Sequence, residues 1–300
     1  MTSSIKHIAI FGDVHGHLRL MFQLCRLWQK RHGRKIDVIL QCGDLGFFPE
    51  LANVDHATRR YARRDPEELA FSQFFKLPVP PENDKLLERT LKGSPRDINT
   101  VDCPVIWCHG NHEDFKELEV ITENKVLAPV DAFGRLKLLR SGYVTEIAGT
   151  RIAAVGGAPE TEKYDDYNSP WSCVSEKACV NLLDQSFDIL LTHGSPNGIE
   201  GLNNECGSEL LRVVIEECQP AYHFYSHHKR CIPPAKIGRT KCHWINDVKF
   251  QRKKNQDDTF AYLEKGCMCL LTWNGLEDHS FGTLTGSWID DITSSNWRYL

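Results

Sequence analysis

Five short clusters in this 300-residue chain combine glycine or serine with side chains able to bind a cation. They are Gly12-Asp13-Val14-His15-Gly16, Gly43-Asp44-Leu45-Gly46, Gly110-Asn111-His112-Glu113, His193-Gly194 and Ser226-His227-His228. Asp13 and Asp44 supply hard carboxylate oxygen, Asn111 a neutral amide oxygen, and His15, His193 and His227 borderline nitrogen. That mixture suits Mn, Fe, Zn or Ni better than Ca or Mg. A carboxylate can bridge two cations, and a pair about 3.5–4 Å apart clamps both oxygens of a phosphoryl displacement and acidifies bound water. The expected chemistry is therefore a centre of two divalent metal ions that yields hydroxide near neutral pH. Turn formation accounts for Asp, Asn and Gly after strands, but not for three histidines placed there.

Each cluster follows an apolar run that reads as a buried strand: Ile8–Phe11, Val38–Leu40, Val105–Trp107, Ile189–Thr192 and Tyr222–Tyr225. A sixth run, Arg151–Val155, leads into Gly156-Gly157. Leu20, Leu24, Leu27 and Trp28 share one helical face, with Gly33 placed to stop the helix. A second helix is expected after Ser172, through Ala178 and Leu182. Ser208 can cap a third that carries Leu211, Val214, Ile215 and Cys218, ended by Pro220. Alternating strands and helices are the grammar of a layered α/β domain. In such sheets ligands bind at the carboxyl ends of the strands, so the five clusters are expected to converge there. Residues 47–100 show no strong pattern and read as an insertion or lid over that edge. Cys267–Trp273 followed by Asn274-Gly275 suggests a hairpin, with Cys267 and Cys269 facing one side.

The ordered motifs resemble those of the calcineurin-like metallophosphoesterases, and they run from residue 12 to residue 228. The resemblance implies a layered αββα sandwich with a dinuclear site at the carboxyl ends of its strands. It implies that Asp13 and His15 hold one metal, that Asp44 bridges, and that Asn111, His193 and His227 hold the other. His112 is then the catalytic residue, donating a proton to the leaving oxygen or stabilising the transition state while metal-bound hydroxide attacks phosphorus. The family's last motif usually reads Gly-His-x-His, but here Lys229 stands at the second histidine position. Either that metal is held more weakly, or His228 takes the place. A narrower similarity, to RNA lariat debranching enzymes, rests on Asp37–Asp44, Pro104–Glu113 and Gly149–Gly156. Those enzymes hydrolyse a 2′,5′-phosphodiester but often carry Cys where this chain has Asp13. The expected function is thus a phosphodiesterase; the alternatives are a non-catalytic scaffold of the same fold or a protein Ser/Thr phosphatase.

Composition narrows the class further. The chain is 41% hydrophobic and 25% charged, which excludes a disordered segment. The length admits two domains at about 150 residues each, but no linker divides it. The expected division is a catalytic domain over 1–230 and a β-rich extension over 231–300 packed on it. No apolar run reaches the ~18 residues of a membrane helix, and no amino-terminal targeting block is present, so a cytoplasmic protein without membrane contact is expected. Twelve cysteines without a C-x-x-C pair read as reduced thiols. His17, His109 and His223 lie beside motifs and read as packed or ligand-orienting residues; Glu113 reads as a tether for its loop. The net charge of −4 hides a basic stretch, 229–254, with nine Lys or Arg and one acid, Asp247. Such a stretch beside the last motif fits a phosphoester substrate, including nucleic acid or nucleotide.

Overall fold

The computed structural model describes residues 5–76, 101–161, 169–202, 206–251 and 261–300. The first strands are β1 (Lys6–Phe11), β2 (Val38–Gln41), β3 (Val105–Trp107), β4 (Leu127–Pro129) and β5 (Leu136–Leu139). Next come β6 (Tyr143–Ile147), β7 (Thr150–Val155), β8 (Ile189–Thr192), β9 (Tyr222–Tyr225), β10 (Ala235–Ile237) and β11 (Thr240–Trp244). The chain ends with β12 (Phe250–Gln251), β13 (Tyr262–Leu263), β14 (Met268–Trp273) and β15 (His279–Thr283). One sheet has the order β15-β14-β1-β2-β3-β5-β4, and the second β10-β11-β9-β8-β7-β6. In the first, β1, β2 and β3 run parallel; in the second, β7, β8 and β9 do.

The alternation of side chains along these strands builds three cores. Ile8 and Ile10 of β1 face inward with Ile152, Ile189, Leu191 and Phe224 of the opposite sheet, forming the layer between the sheets. Ala9 and Phe11 face the other way, onto Leu20, Met21 and Leu24 of helix α1 (Leu18–His32). Behind the second sheet, Ala153, Val155 and Leu190 pack on two helices, here named with those before them in chain order. After α1 come α2 (His56–Ala62), α3 (Phe115–Thr122), α4 (Glu176–Leu183), α5 (Glu209–Cys218) and α6 (Ser287–Asp290). Ala178 and Leu182 of α4 and Leu211, Val214 and Ile215 of α5 cover that face. The protein is therefore an α/β sandwich of two sheets flanked by helices, with strands buried on both faces.

The helix signals operate as the residues dictate. Gly33 adopts the left-handed conformation (φ 62°) and returns its N–H to the Gln29 carbonyl, ending α1. Ser208 Oγ accepts the Leu211 N–H at 3.0 Å, capping α5. The late strands are woven into both sheets: β14 pairs with β1, and β11 with β9. The hairpin expected after Trp273 is the β14–β15 pair. Cys267 and Cys269, however, enter different cores, because Cys267 precedes the strand and escapes its alternation. All twelve cysteines are free thiols. Of the segment 47–100, residues 77–100 lie outside the described residues. Its described part carries α2, the 3-10 turn Pro66–Leu69 and the π-helical turn Phe71–Phe75.

Candidate metal centre

Because β1, β2 and β3 end on one edge of the sandwich and β8 and β9 end on the facing edge, their following turns meet. The turn after β1 is stitched to the turn after β2: Val14 and His15 N–H donate to the Asp44 carbonyl at 3.0 and 2.8 Å. The turn after β3 closes on the same residue, with Asn111 and His112 N–H both donating to Asp44 Oδ1 at 2.8 Å. Gly110 is needed for that approach, since a Cβ there would lie 2.0 Å from Asp44 Oδ1. Glu113 locks the loop from behind, accepting the Leu45 and Phe47 N–H groups at 2.8 and 2.6 Å.

With Oδ1 so occupied, Asp44 Oδ2 faces both halves of the site. It lies 3.7 Å from His15 Nε2 and 3.6 Å from His193 Nε2. On one side Asp13 Oδ2 is 3.7 Å from His15 Nε2, and one ligand atom from each of Asp13, His15 and Asp44 lies within 4.8 Å of the others. On the other side His193 Nε2 is 2.8 Å from Asn111 Oδ1 and 3.1 Å from His227 Nδ1. His227 N–H also donates to Asp13 Oδ1 at 3.2 Å, tying the two halves together. All six ligand candidates thus come together. Three of them, His15, Asp44 and His227, sit at positive φ (43°, 51° and 67°), out of six such non-glycine residues among those described. Strain gathered in this way is a mark of a functional site.

The donor chemistry fits cations. His193 Nδ1 donates to the Cys42 carbonyl at 2.9 Å, which leaves Nε2 as a lone pair. Burial lowers the pKa of His193, against the pull of Asp44 and Asp13. Its Nε2 therefore faces the Asn111 and Asp44 oxygens as acceptor against acceptor, an arrangement that positive charge between them resolves. Burial also pushes the Asp13 carboxyl up. Burial acts the same way on Asp44, but His193, His112 and His15 outweigh it and hold that carboxyl well below the usual range.

His112 stands beside the ligands, its ring 5.9 Å from that of His15. Its Nδ1 is 2.8 Å from Oδ2 of Asp55, the residue that caps α2. Burial opposes protonation of His112, but Asp44 and Asp55 prevail and raise its pKa to about 9. A cleft of about 370 Å³ opens on Asn111 and His112, walled by Asn53, Asp55, Phe115 and Lys116. Asp55 carries no motif; its distance in sequence from His112 hides the pairing. The three histidines beside the motifs are held elsewhere: His17 by the Val14 carbonyl and Asp65, His109 by Ser141, and His223 by Thr192. The basic stretch is divided. Lys236, Arg239 and Lys241 lie on or between β10 and β11, around the amino end of β11, away from the site. Lys229 and Arg230 follow the last motif and are exposed, and Arg252, Lys253 and Lys254 lie outside the described residues.

Among the described residues, no helix is long and apolar enough to cross a membrane. Two curated relatives are lariat debranching enzymes. The one from Drosophila melanogaster is 22% identical over 73% of this chain and 42% of its own length. The one from Entamoeba histolytica is 23% identical over 91% of this chain and 79% of its own. The chain thus spans under half the length of the fly enzyme. A solved structure 12% identical aligns over 94% of this chain and 99% of its own with a TM-score of 0.53, a likeness of fold. The profile of the calcineurin-like phosphoesterases matches residues 6–231, far more than half of the chain. Five motifs in order, two sheets that bring them to one edge, and that match together place the chain in the calcineurin-like phosphoesterase family, whose members are hydrolases of phosphoester bonds.

Proposed function

We propose that the protein is a metal-dependent phosphodiesterase. Asp13, His15 and Asp44 would hold one divalent cation, and Asp44, Asn111, His193 and His227 the other. The observation that carries this reading is the placement of Asp44 Oδ2, 3.7 Å from His15 Nε2 and 3.6 Å from His193 Nε2, between two sets of donors. When bound, such a cation pair supplies Lewis acidity that polarises the phosphoryl group and lowers the pKa of water.

The chain's own residues orient and protonate. Backbone N–H groups fix Asp44 through Oδ1, and the Cys42 carbonyl fixes the His193 tautomer. His112 donates from Nδ1 to Asp55, so its second proton, on Nε2, is the one offered to the leaving oxygen. The cleft beside His112 gives room for the departing alcohol. Two relatives named as debranching enzymes support a nucleic-acid phosphodiester as the substrate class.

The test is a substrate panel with Mn²⁺: 2′,5′- and 3′,5′-linked dinucleotides, cyclic nucleotides and phosphomonoesters. A diester should turn over fastest, and His112→Ala should lower kcat by roughly 10²–10⁴-fold. Folded protein that cleaves none of these with any divalent cation sinks the proposal. Full activity of His112→Ala on the best substrate removes the role given to that residue.

A further inference from the structure

The run Arg59-Arg60-Tyr61-Ala62-Arg63-Arg64 spans the second half of α2 and the two residues after it. All four arginines and Tyr61 are exposed. The acids of this part of the chain are engaged elsewhere. Glu50 pairs with Lys76, Asp55 with His112, Asp65 with His17, and Glu67 with Arg19 and Arg298, while Glu68 is buried. Among the described residues, none of the four arginines has a carboxylate partner, so their charge is open to an anion. The Arg59 guanidinium donates to the Val54 carbonyl at 2.9 Å, which holds it in one place.

The same helix forms a wall of two neighbouring cavities. At its amino end, Asp55 and His56 line the cleft that opens on His112. Farther along, Arg59, Ala62 and Arg63 line a second cavity of about 270 Å³, together with Leu51, Val54 and Leu69. Asp55 lies 2.8 Å from His112 Nδ1, and Arg59 and Arg63 follow it at about 6 and 12 Å of helical rise. A phosphodiester chain whose reacting bond lies at His112 thus meets both arginines within a few nucleotides. Four apolar walls and two guanidinium groups suit a flat base with a phosphate beside it, and Tyr61 adds a face for stacking. Bases of a duplex are paired and stacked, so only an unpaired strand can use such a cavity. We propose that α2 and the turn before it bind single-stranded nucleic acid on one side of the bond that is cleaved, with an unpaired base in this cavity and phosphates on Arg59, Arg60, Arg63 and Arg64. The inference rests on the phosphodiesterase reading of the centre. It puts the anion-binding surface on α2 rather than on the hairpin cations of the stretch 229–254, which lie away from the site.

The experiment is titration of metal-free full-length protein into a fluorescent single-stranded oligoribonucleotide of about 12 nucleotides. Binding is read by anisotropy with a chelator present, so that nothing is cleaved, and melting curves confirm folding. Wild type should bind the strand at least tenfold more tightly than the matching duplex. Arg60→Gln combined with Arg63→Gln should weaken binding at least tenfold and lower the slope of log Kd against log salt by about 1.4, as expected for two lost phosphate contacts. Lys236→Gln combined with Lys241→Gln makes the same change of charge on the hairpin and should alter binding less than threefold. Arg64→Glu, past the end of α2, should weaken binding at least fivefold and serves if the first pair does not fold. Equal losses from the two pairs, no binding by wild type, or binding as tight to the duplex or to vesicles of anionic lipid overturns the inference. A diester cleaved in the substrate panel without strand binding leaves the phosphodiesterase reading standing. Strand binding that the arginine variants lose, with no diester cleaved, keeps the surface and overturns that reading.

Discussion

Asp44 shows how one residue organises this site. Its carbonyl takes two N–H groups from the first motif, its Oδ1 two from the third, and its Oδ2 is left to face both sets of donors. The ligand types and their order are legible in the sequence because each stands in a short motif. Asp55 is not, because it reaches His112 from an irregular segment. Its effect is measurable. Asp55→Asn should lower kcat by roughly 10–100-fold with KM nearly unchanged, as expected for a partner that orients a functional histidine. Asp55→Glu should recover part of that loss. Equal losses in both variants, with a raised KM, would mean that Asp55 shapes the cleft rather than the ring.

At the level of elements, the strands that end at the motifs are the ones their sequences announce. Ile8–Phe11, Val38–Leu40 and Ile189–Thr192 are buried on both faces, so they are continuously apolar. The edge strands β4, β6 and β10 are short or half-polar, and α3 is eight residues long, so none stands out as a periodic pattern. The basic stretch is not one surface for a related reason: a hairpin turns three of its nine cations, Lys236, Arg239 and Lys241, away from the site, which a linear count of charges does not reveal. Two substitutions test the elements. Ser208→Ala removes the cap of α5 and should cost about 1 kcal/mol of stability, read by urea denaturation, without touching metal binding. Gly110→Ala should do the reverse in emphasis. A Cβ 2.0 Å from Asp44 Oδ1 must displace the carboxylate, so Mn²⁺ uptake should fall before the fold is lost.

The molecule as a whole joins its sheets at the site. Asp13, His15, Asp44 and Asn111 follow strands of one sheet, and His193 and His227 follow strands of the other. Cations held across that seam bind the folded state alone, so chelation should lower the melting temperature, and excess Mn²⁺ should restore it in proportion to RT ln(1 + [L]/Kd). An unchanged melting curve would show that the two sheets need no such link. Acid should weaken the fold for a separate reason. Burial lowers the pKa of His223 to about 3 and of His109 to about 4, against 6.5 when exposed. Below pH 6.5 the unfolded chain binds protons that the folded chain refuses, so stability is full above that pH and declines as pH falls toward 4. The slope should approach about 1.4 kcal/mol per pH unit for each such group. His223→Gln, which keeps a donor for Thr192, should flatten it.

The left-handed backbone at His15 and His227 has a consequence for any search for a hardier protein. At such positions glycine is relaxed where histidine is held against its preference, by about 1 kcal/mol or more. Selection for heat resistance in metal-free medium should therefore recover glycine at residue 15 or 227, whereas the same selection with Mn²⁺ in excess should keep both histidines, because the stabilisation by a bound cation exceeds the strain.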